Sequence, residues 1–220
     1  ESLRGARVLL AEDNEVNREV ALALLHGIGL DVDTAVNGRE AVRMATAGGY
    51  DLVLMDLQMP EMGGLEATRI IRAQPGGAAL PILALTANAF EEDRQACEAA
   101  GMNDFVAKPV VPQQFYALLL KWLRQADPAA VAAATMGQVA ATRDEAPPPA
   151  PQVGPIAGLD IEHGLSLVRG NQATYRKLLV MFLKSHAEDA ARIAALRAAD
   201  DGEGVRKIAH SLKGAAGSLG

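Results

Sequence analysis

Acidic side chains follow two apolar segments that have the character of buried strands. Glu12 and Asp13 come at the end of the segment that begins at Arg7, and Asp56 directly follows the apolar residues 52–55. Because the carboxyl ends of neighbouring parallel strands meet at one edge of an open α/β sheet, these carboxylates are expected to share a crevice. Three carboxylates in one crevice repel one another unless a cation joins them, and Mg²⁺, or Mn²⁺ in its place, prefers such oxygen ligands.

A lysine and a threonine follow later strand-like segments at the same predicted edge. Lys108 comes after the fifth segment, and Thr86 ends the fourth. An ammonium and a hydroxyl beside a metal-bound carboxylate can hold phosphoryl oxygens, so the set predicts Asp56 as nucleophile, Lys108 as clamp and Thr86 as switch. Taken singly, each residue also fits an ordinary role: Asp56 as a turn cap, Lys108 as a solvated side chain and Thr86 as a strand residue.

A histidine near the carboxyl end lies on a predicted helix. The apolar residues Val205, Ile208 and Leu212 form one stripe of this helix, which leaves His210 nearly on the opposite side, where it should face water. Basic residues and glycines surround it at helical spacing: Arg206, Lys207, Lys213, Gly214 and Gly217. Each glycine destabilises a helix interior by about 1 kcal/mol relative to alanine, but it leaves room for another surface to approach the imidazole. These features predict a phosphoryl acceptor that an acidic crevice can reach.

Strand-like and helix-like segments alternate in the first part of the chain. Strands are predicted at residues 7–12, 31–35, 52–55, 82–86 and 104–106, and helices from the cap Asn14 to Gly29 and at residues 39–47, 65–72, 91–100 and 113–123. This alternation is typical of a parallel sheet with helices on both faces. Residues 1–126 are therefore predicted to form one α/β domain.

Composition and periodicity both change after this unit. Residues 127–155 are rich in Ala and Pro and include APPPAP, which indicates a partly extended, semi-rigid linker; alternatively, residues 129–134 add a helical turn or two. Over residues 156–220 the apolar spacing is helical, as in the stripe over residues 175–182. This predicts an all-α domain whose final helix still continues at Gly220.

Four motifs in the first domain, LLAEDN, LVLMDLQMP, LALTANA and FVAKP, are similar in kind and order to those of the receiver domain of two-component signalling. The resemblance covers roughly the first half of the chain. It implies a doubly wound, flavodoxin-like sheet of five parallel strands in the order 2-1-3-4-5. It also implies that Asp56 is the phosphoacceptor, and that Glu12, Asp13 and Asp56 hold Mg²⁺ together with the backbone carbonyl of Gln58.

The same resemblance assigns further roles near the site. It implies that Thr86 and Lys108 bind the phosphoryl group, that the bond before Pro109 is cis, and that Phe105 is an aromatic switch residue. A metal-dependent hydrolase with an Asp nucleophile is similar to this chain to a lesser degree, because its second acid two residues beyond the nucleophile is replaced here by Gln58. A dinucleotide or flavin site is disfavoured, since no GxGxxG follows the first strand.

The segment AHSLKGAAGSLG, over residues 209–220, resembles the histidine phosphotransfer (HPt) module, a four-helix bundle. The resemblance is supported upstream by an LD pair, a GN pair and the stripe over residues 175–182. It implies that His210 is phosphorylated, that Lys213 and Gly214 assist access of the phosphate, and that Gly214 and Gly217 form a docking surface.

The family bundle continues with a further helical hairpin beyond this segment. Without that hairpin, the apolar stripe around Leu212 and Leu219 lacks half of its cover, so an incomplete bundle that is frayed, dimerised or poorly packed is predicted. The missing initiator Met and the end at Gly220 suggest a piece of a longer protein.

Composition excludes several other classes. The 220-residue chain has a net charge of -6, which disfavours nucleic-acid binding by this part of the protein. Its single Cys97 cannot form an intrachain disulfide, which fits a reducing compartment. No apolar run is long enough to cross a bilayer and no signal-peptide pattern is present, so a cytoplasmic location is expected, with a parent protein that could be anchored at the inner membrane.

Together these features predict the carboxy-terminal part of a hybrid sensor histidine kinase that acts in a phosphorelay. The phosphoryl group would pass from a kinase core domain, in cis or in trans, to Asp56 and then to His210 or to a downstream response regulator or HPt protein. No ATP-binding glycine boxes are present, so autophosphorylation from ATP is not expected. The alternative is a regulatory binding module in which phosphorylation of Asp56 changes a surface and nothing is passed on.

Overall fold

A five-stranded parallel sheet organises the first part of the molecule. The computed structural model describes residues 3, 5–86, 91–126, 156 and 158–220. The strands are β1 (Arg7–Ala11), β2 (Asp31–Ala35), β3 (Leu52–Asp56), β4 (Ile82–Thr86) and β5 (Asp104–Ala107), and their order across the sheet is β2-β1-β3-β4-β5. The predicted fold class and strand order are therefore confirmed. All residues of β3 and β4 are buried, because helices cover both faces of a doubly wound sheet.

Five helices flank this sheet: α1 (Glu15–His26), α2 (Gly38–Ala47), α3 (Gly64–Arg72), α4 (Glu91–Ala100) and α5 (Pro112–Ala126). Asn14 caps α1 as predicted, since its side chain accepts hydrogen bonds from the backbone amides of Val16 and Asn17. The buried residues form one cluster on each side of the sheet. Helix α1 directs its stripe Val16, Val20 and Leu24 into the first of these clusters.

The second part of the chain is helical. Its described helices are α6 (Ile161–Leu167), α7 (Gln172–His186), α8 (Asp189–Ala198) and α9 (Gly202–Gly217), and α6, α7 and α9 each begin with an Asp or Asn side-chain cap. The prediction that the last helix continues at Gly220 was wrong, because α9 ends at Gly217 and Ser218 closes it. The predicted linker over residues 127–155, with its alternative helical turn, lies outside the described residues.

The helical region packs against α1 of the α/β unit. Helices α6, α7 and α9 all contact α1, and Tyr175, Leu178, Ala215 and Leu219 belong to the same buried cluster as the α1 stripe. Leu219 is 2% exposed, and the hydroxyl of Tyr175 donates to its carbonyl oxygen at 2.7 Å. The prediction that the stripe around Leu212 and Leu219 lacks half of its cover was therefore wrong for Leu219, because the buried cluster that covers it extends into the other half of the chain. Leu212 is only partly buried. None of the described helices is both long and apolar enough to span a bilayer.

Candidate active site

Three carboxylates converge at the carboxyl ends of β1 and β3. The register pairs Ala11 of β1 with Met55 of β3, so the residues that follow, Glu12 and Asp56, emerge side by side. Both are almost completely buried, at 1% and 3% exposure, whereas Asp13 is exposed. Oxygen atoms of Glu12, Asp13 and Asp56 all lie within 4.8 Å of one another. A set of three carboxylate oxygens at this spacing suits a hard divalent cation such as Mg²⁺.

Lys108 joins two of these carboxylates. Its Nζ lies 2.7 Å from Oδ2 of Asp56 and 2.5 Å from Oε2 of Glu12, and its side chain is 5% exposed. The backbone amide of Lys108 donates to the carbonyl oxygen of Thr86 at 2.7 Å, which extends the β4–β5 pairing by one residue. The peptide bond between Lys108 and Pro109 is cis. The sequence-predicted partners of Asp56 are thus brought together from strands β1 and β5.

Burial and charge act against each other in this cluster. Burial raises the pKa of Glu12 to about 7, Lys108 opposes this shift, and the neighbouring charge of Asp56 adds to it. Burial alone lowers the pKa of Lys108, but the attraction of Glu12 and Asp56 outweighs it, so its pKa lies above the usual value. Lys108 therefore remains an ammonium at neutral pH, held between the side chains of Glu12 and Asp56.

The remaining predicted residues of the α/β unit lie around this cluster. Gln58 lines the same cavity as Asp56, and its backbone amide donates to Oδ1 of Asp56 at 3.2 Å. Thr86 is buried at the end of β4, beside Ala107. Phe105 is partly buried against the apolar cluster on the side of the sheet opposite α1. The guanidinium carbon of Arg94 lies 5.9 Å from the centre of its ring. Phe105 is absent from the residues that line the Asp56 cavity.

His210 lies at the same cavity as Asp56. The cavity has a volume of about 560 Å³ and opens between the two halves of the chain. The α/β unit contributes the acidic cluster, Lys108 and the loop after β3, and α9 contributes the following residues: Arg206, Lys207, His210, Ser211 and Gly214. The prediction that His210 faces water was wrong. It does lie away from buried Ile208, but that side borders the Asp56 cavity and His210 is partly buried there.

The surroundings of His210 favour its neutral form. Burial is the largest effect and lowers the pKa of the imidazole below its usual value of 6.5. Lys108 and Lys213 lower this pKa further, whereas Asp56 and Asp93 raise it. Lys213 itself is exposed and does not line the cavity. A neutral imidazole has one ring nitrogen with a free electron pair, which is the form that can act as a nucleophile.

Polar pairs join α1 to α9 on either side of Gly214. The side-chain amide of Asn14 donates to Oγ of Ser211 at 3.0 Å, and Oγ of Ser218 donates to Oδ1 of Asn17 at 3.0 Å. A Cβ on Gly214 would lie 3.1 Å from Nδ2 of Asn17. The sequence analysis missed Asn17, Ser211 and Ser218 as functional candidates. Their signal was the seven-residue spacing of the two serines, which puts both on the glycine side of the helix.

The family models divide the chain in the same way as this geometry does. Residues 8–120 match the response regulator receiver domain. The chain belongs to the response regulator receiver family. Residues 177–220 match the Hpt domain, so the receiver domain is followed along the chain by an Hpt domain. The predicted resemblance to both families is confirmed.

Similar proteins match nearly the whole of this chain within much longer sequences. The sensor histidine kinase GacS of Pseudomonas protegens is 34% identical over 97% of this chain and 22% of its own length. The aerobic respiration control sensor protein ArcB of Escherichia coli is 33% identical over 99% of this chain and 26% of its own length. The chain thus spans about a quarter of the length of these relatives.

Solved structures resemble the receiver domain. The receiver domain of the sensor histidine kinase PA1611 from Pseudomonas aeruginosa, described with a magnesium ion in its active-site cleft, is 45% identical, with a TM-score of 0.52 over 54% of this chain and 98% of its own. A co-crystal of the Saccharomyces cerevisiae phosphotransfer protein Ypd1 with the receiver domain of Ssk1 matches at 29% identity and a TM-score of 0.53, over 59% of this chain and 97% of the matched chain. A receiver domain with an Hpt domain, similar to those of hybrid kinases, belongs to phosphorelay signal transduction.

Proposed function

We propose that Asp56 accepts a phosphoryl group from a kinase histidine and passes it to His210 of the same chain. The observation that carries the proposal is that Asp56 and His210 line one cavity, in which Lys108 donates a hydrogen bond to Asp56. The presence of His210 at the Asp56 cavity favours transfer over the alternative of a binding module that passes nothing on.

Each of the two steps exchanges one bond to phosphorus for another. In the first, a carboxylate oxygen of Asp56 attacks the phosphorus of a kinase phosphohistidine, and the N–P bond breaks as the imidazole leaves. In the second, a ring nitrogen of neutral His210 attacks the phosphorus on Asp56, and the O–P bond breaks to return the carboxylate. The phosphorylated imidazole then carries a positive charge, which the surrounding carboxylates stabilise.

The acidic cluster is proposed to hold Mg²⁺, with Mn²⁺ as a substitute. Glu12, Asp13 and Asp56 would provide carboxylate oxygens and Gln58 its backbone carbonyl, in keeping with the oxygen spacing within 4.8 Å. A bound Mg²⁺ neutralises charge that develops on the phosphoryl oxygens. Lys108 would exchange its bond to Asp56 for one to a phosphoryl oxygen, and Thr86 would bind another as a switch. Phe105 lies on β5, next to the strand that carries Thr86. It is proposed to act as an aromatic switch that responds when Thr86 binds the phosphoryl group.

The proposed partners lie in other domains or other proteins. A kinase core domain supplies phosphohistidine, and a downstream response regulator or HPt protein exchanges the group with this chain. Because α9 lines the cavity that contains Asp56, the Hpt domain is proposed to move away before a kinase histidine enters. The Hpt domain must likewise leave the receiver before His210 can meet a downstream acceptor.

The order of transfer is tested with labelled acetyl phosphate, which donates to aspartate. Base-stable, acid-labile label is expected on His210 in the unmodified chain. Asp56→Asn should carry no label at either position, and His210→Gln should carry label on Asp56 alone. Label on His210 in the Asp56→Asn chain would overturn the proposed order.

Transfer within one molecule is tested by dilution and by mixing. In the unmodified chain, the rate at which label moves from Asp56 to His210 should not change with protein concentration. A mixture of His210→Gln and Asp56→Asn chains, which separates donor from acceptor, should transfer at a rate proportional to concentration and slower at micromolar protein. Equal rates in the two experiments would contradict transfer in cis, and stable label on Asp56 without transfer would favour the binding module.

A further inference from the structure

Asn17 of α1 connects the Hpt domain to the acidic cluster. Its side chain is buried, at 8% exposure for the residue, and each end of its amide has a partner. Oδ1 accepts a hydrogen bond from Oγ of Ser218 at 3.0 Å, and Nδ2 donates to Oε1 of Glu12 at 3.3 Å. The other carboxylate oxygen of Glu12 binds Lys108, which also binds Asp56. A continuous path of hydrogen bonds thus runs from the end of α9 to the phosphoacceptor.

The chemistry of the two ends allows one orientation of the amide. The carboxylate of Glu12 is ion-paired with Lys108 and accepts hydrogen bonds, so the amino group of Asn17 must face it. The carbonyl of Asn17 then faces Ser218, which has a hydroxyl hydrogen to donate and shares it with the carbonyl oxygen of Gly214. Without Ser218, the buried carbonyl of Asn17 would lose its partner, and the amide would be free to turn away from Glu12.

Gly214 makes this contact possible. It lies in α9 between the two serines, and the nearest neighbour of an added Cβ would be Nδ2 of Asn17 at 3.1 Å. A side chain at this position would therefore press on the amide that binds Glu12. Asn14 and Ser211 form a second polar pair across the same contact. The side chain of Asn14 binds Ser211 and the start of α1, and only its backbone amide donates to Oε1 of Glu12, at 3.3 Å.

We propose that docking of the Hpt domain sets the orientation of the Asn17 amide through Ser218 and thereby positions Glu12 in the acidic site. Asn17 is a positioning residue in this scheme, because it acts through Glu12 and does not touch the reacting atoms. The inference rests on the proposed function of the acidic cluster as the phosphoacceptor and metal site. It adds that the site is completed when the Hpt domain is seated on the receiver, so that metal binding and docking reinforce each other.

The test measures Mg²⁺ binding to the intact, unphosphorylated chain by calorimetry. Groups that hold a metal ligand in place commonly change metal affinity by about 10- to 100-fold when removed. Asn17→Ala is therefore expected to weaken Mg²⁺ binding about tenfold, and Ser218→Ala is expected to weaken it severalfold. Ser211→Ala removes the parallel interdomain hydrogen bond and should leave Mg²⁺ affinity within about twofold of the parent. The reason is that Asn14 keeps its bonds to the start of α1 without Ser211, so its backbone amide still donates to Glu12. Equal effects of Ser211→Ala and Ser218→Ala would overturn the proposal.

A double substitution distinguishes an effect through the Ser218–Asn17–Glu12 hydrogen bonds from a general destabilisation of the fold. In the Asn17→Ala chain, Ser218→Ala should have no further effect on Mg²⁺ affinity, whereas independent contributions would multiply. A metal-free readout is the side-chain amide signal of Asn17 in NMR spectra, which should shift in Ser218→Ala and stay in place in Ser211→Ala. An unshifted amide in Ser218→Ala would also overturn the proposal. Neither measurement involves phosphoryl transfer, so their failure would leave the proposed relay between Asp56 and His210 standing.

Discussion

Gly214 of α9 lies directly against Asn17 of α1, and a Cβ on the glycine would be 3.1 Å from Nδ2 of the asparagine. Gly217, one turn further along, has a looser neighbour: its Cβ would lie 3.4 Å from Pro109, an ordinary van der Waals distance. Both glycines allow the receiver to approach α9. Only the first of these two has a neighbour that must move to admit a methyl group.

Gly214→Ala is predicted to slow transfer from Asp56 to His210 within the chain by severalfold. The methyl group displaces the Asn17 amide or separates the helices, even though alanine favours the helix itself by up to about 1 kcal/mol. Single-turnover transfer measured after phosphorylation by acetyl phosphate checks this. Gly217→Ala is the matched control and should transfer within about twofold of the parent, since its contact is ordinary. Equal slowing in both variants would show that the Asn17 contact is not the cause.

Lys108→Met is predicted to destabilise the metal-free receiver domain by about 3 kcal/mol at pH 8, because removing one member of a buried ion cluster leaves the other charges unpaired. Urea unfolding in the presence of a chelator measures this loss, and Mg²⁺ should restore part of it. Lys121→Met is the control. Its ion pair with Asp104 involves a lysine that is 52% exposed, so a change below about 1 kcal/mol is expected. Similar losses in the two variants would contradict the role assigned to burial.

The loss of folding stability caused by Lys108→Met should depend on pH. The pKa of Glu12 is raised to about 7 on folding, so the folded chain binds a proton that the unfolded chain releases, and this contribution to stability is lost as the pH rises to about 7. Lys108 opposes the shift, so its removal raises the pKa of Glu12 further. The difference in stability between variant and parent should therefore grow from pH 6 to pH 8. A constant difference would argue against charge as its origin.

His210 is predicted to titrate below its usual pKa of 6.5 in the metal-free chain, because burial at the receiver surface disfavours the imidazolium. The midpoint is measured by NMR of the ring. Asp56→Asn should lower it further, since the Asp56 carboxylate raises the pKa. Docking should be strongest above pH 6.5 and weaken as the pH falls below it, when the free imidazole takes up a proton. A midpoint above 6.5, or a rise in Asp56→Asn, would contradict the docked arrangement.

Tyr175→Phe is predicted to destabilise the Hpt domain by about 1–2 kcal/mol. The substitution removes a buried hydroxyl that donates to the carbonyl oxygen of Leu219 at 2.7 Å, and the carbonyl is left without that partner. Thermal unfolding followed by circular dichroism measures the loss. Tyr116→Phe is the control, because its hydroxyl lies 3.4 Å from the carbonyl oxygen of Leu24 and is partly exposed. A loss in Tyr116→Phe as large as in Tyr175→Phe would count against this explanation.

Most of the sheet and the positions of its acidic residues could be predicted from local pattern. The apolar runs in β3 and β4 are buried on both faces, and such runs alternating with helices leave few topologies besides a doubly wound sheet. Because parallel strands end at one edge, Glu12, Asp56 and Lys108 could be predicted as neighbours from their places in the chain alone. The helical spacing around Tyr175 likewise predicted a buried face, and Tyr175 and Leu178 are buried.

The end of α9 and the environment of its histidine could not be predicted in the same way. The stripe of Val205, Ile208 and Leu212 correctly placed His210 on another side of the helix, but it could not show what covers that side. Leu219 was predicted to lack cover, and it is buried in a cluster that extends to α1. These outcomes depend on residues about 200 positions apart along the chain, such as Asn17 and Ser218.

The sequence by itself determined the sheet, its acidic edge and a histidine flanked by basic residues and glycines, because each depends on periodicity or on strand order. Tertiary structure alone decided that this histidine lies at the Asp56 cavity and that Asn17 links the two domains. The physical reason is that docking of two preformed surfaces depends on shape and on single hydrogen bonds across the contact. Neither shape complementarity nor a single hydrogen bond produces a periodic pattern in the sequence.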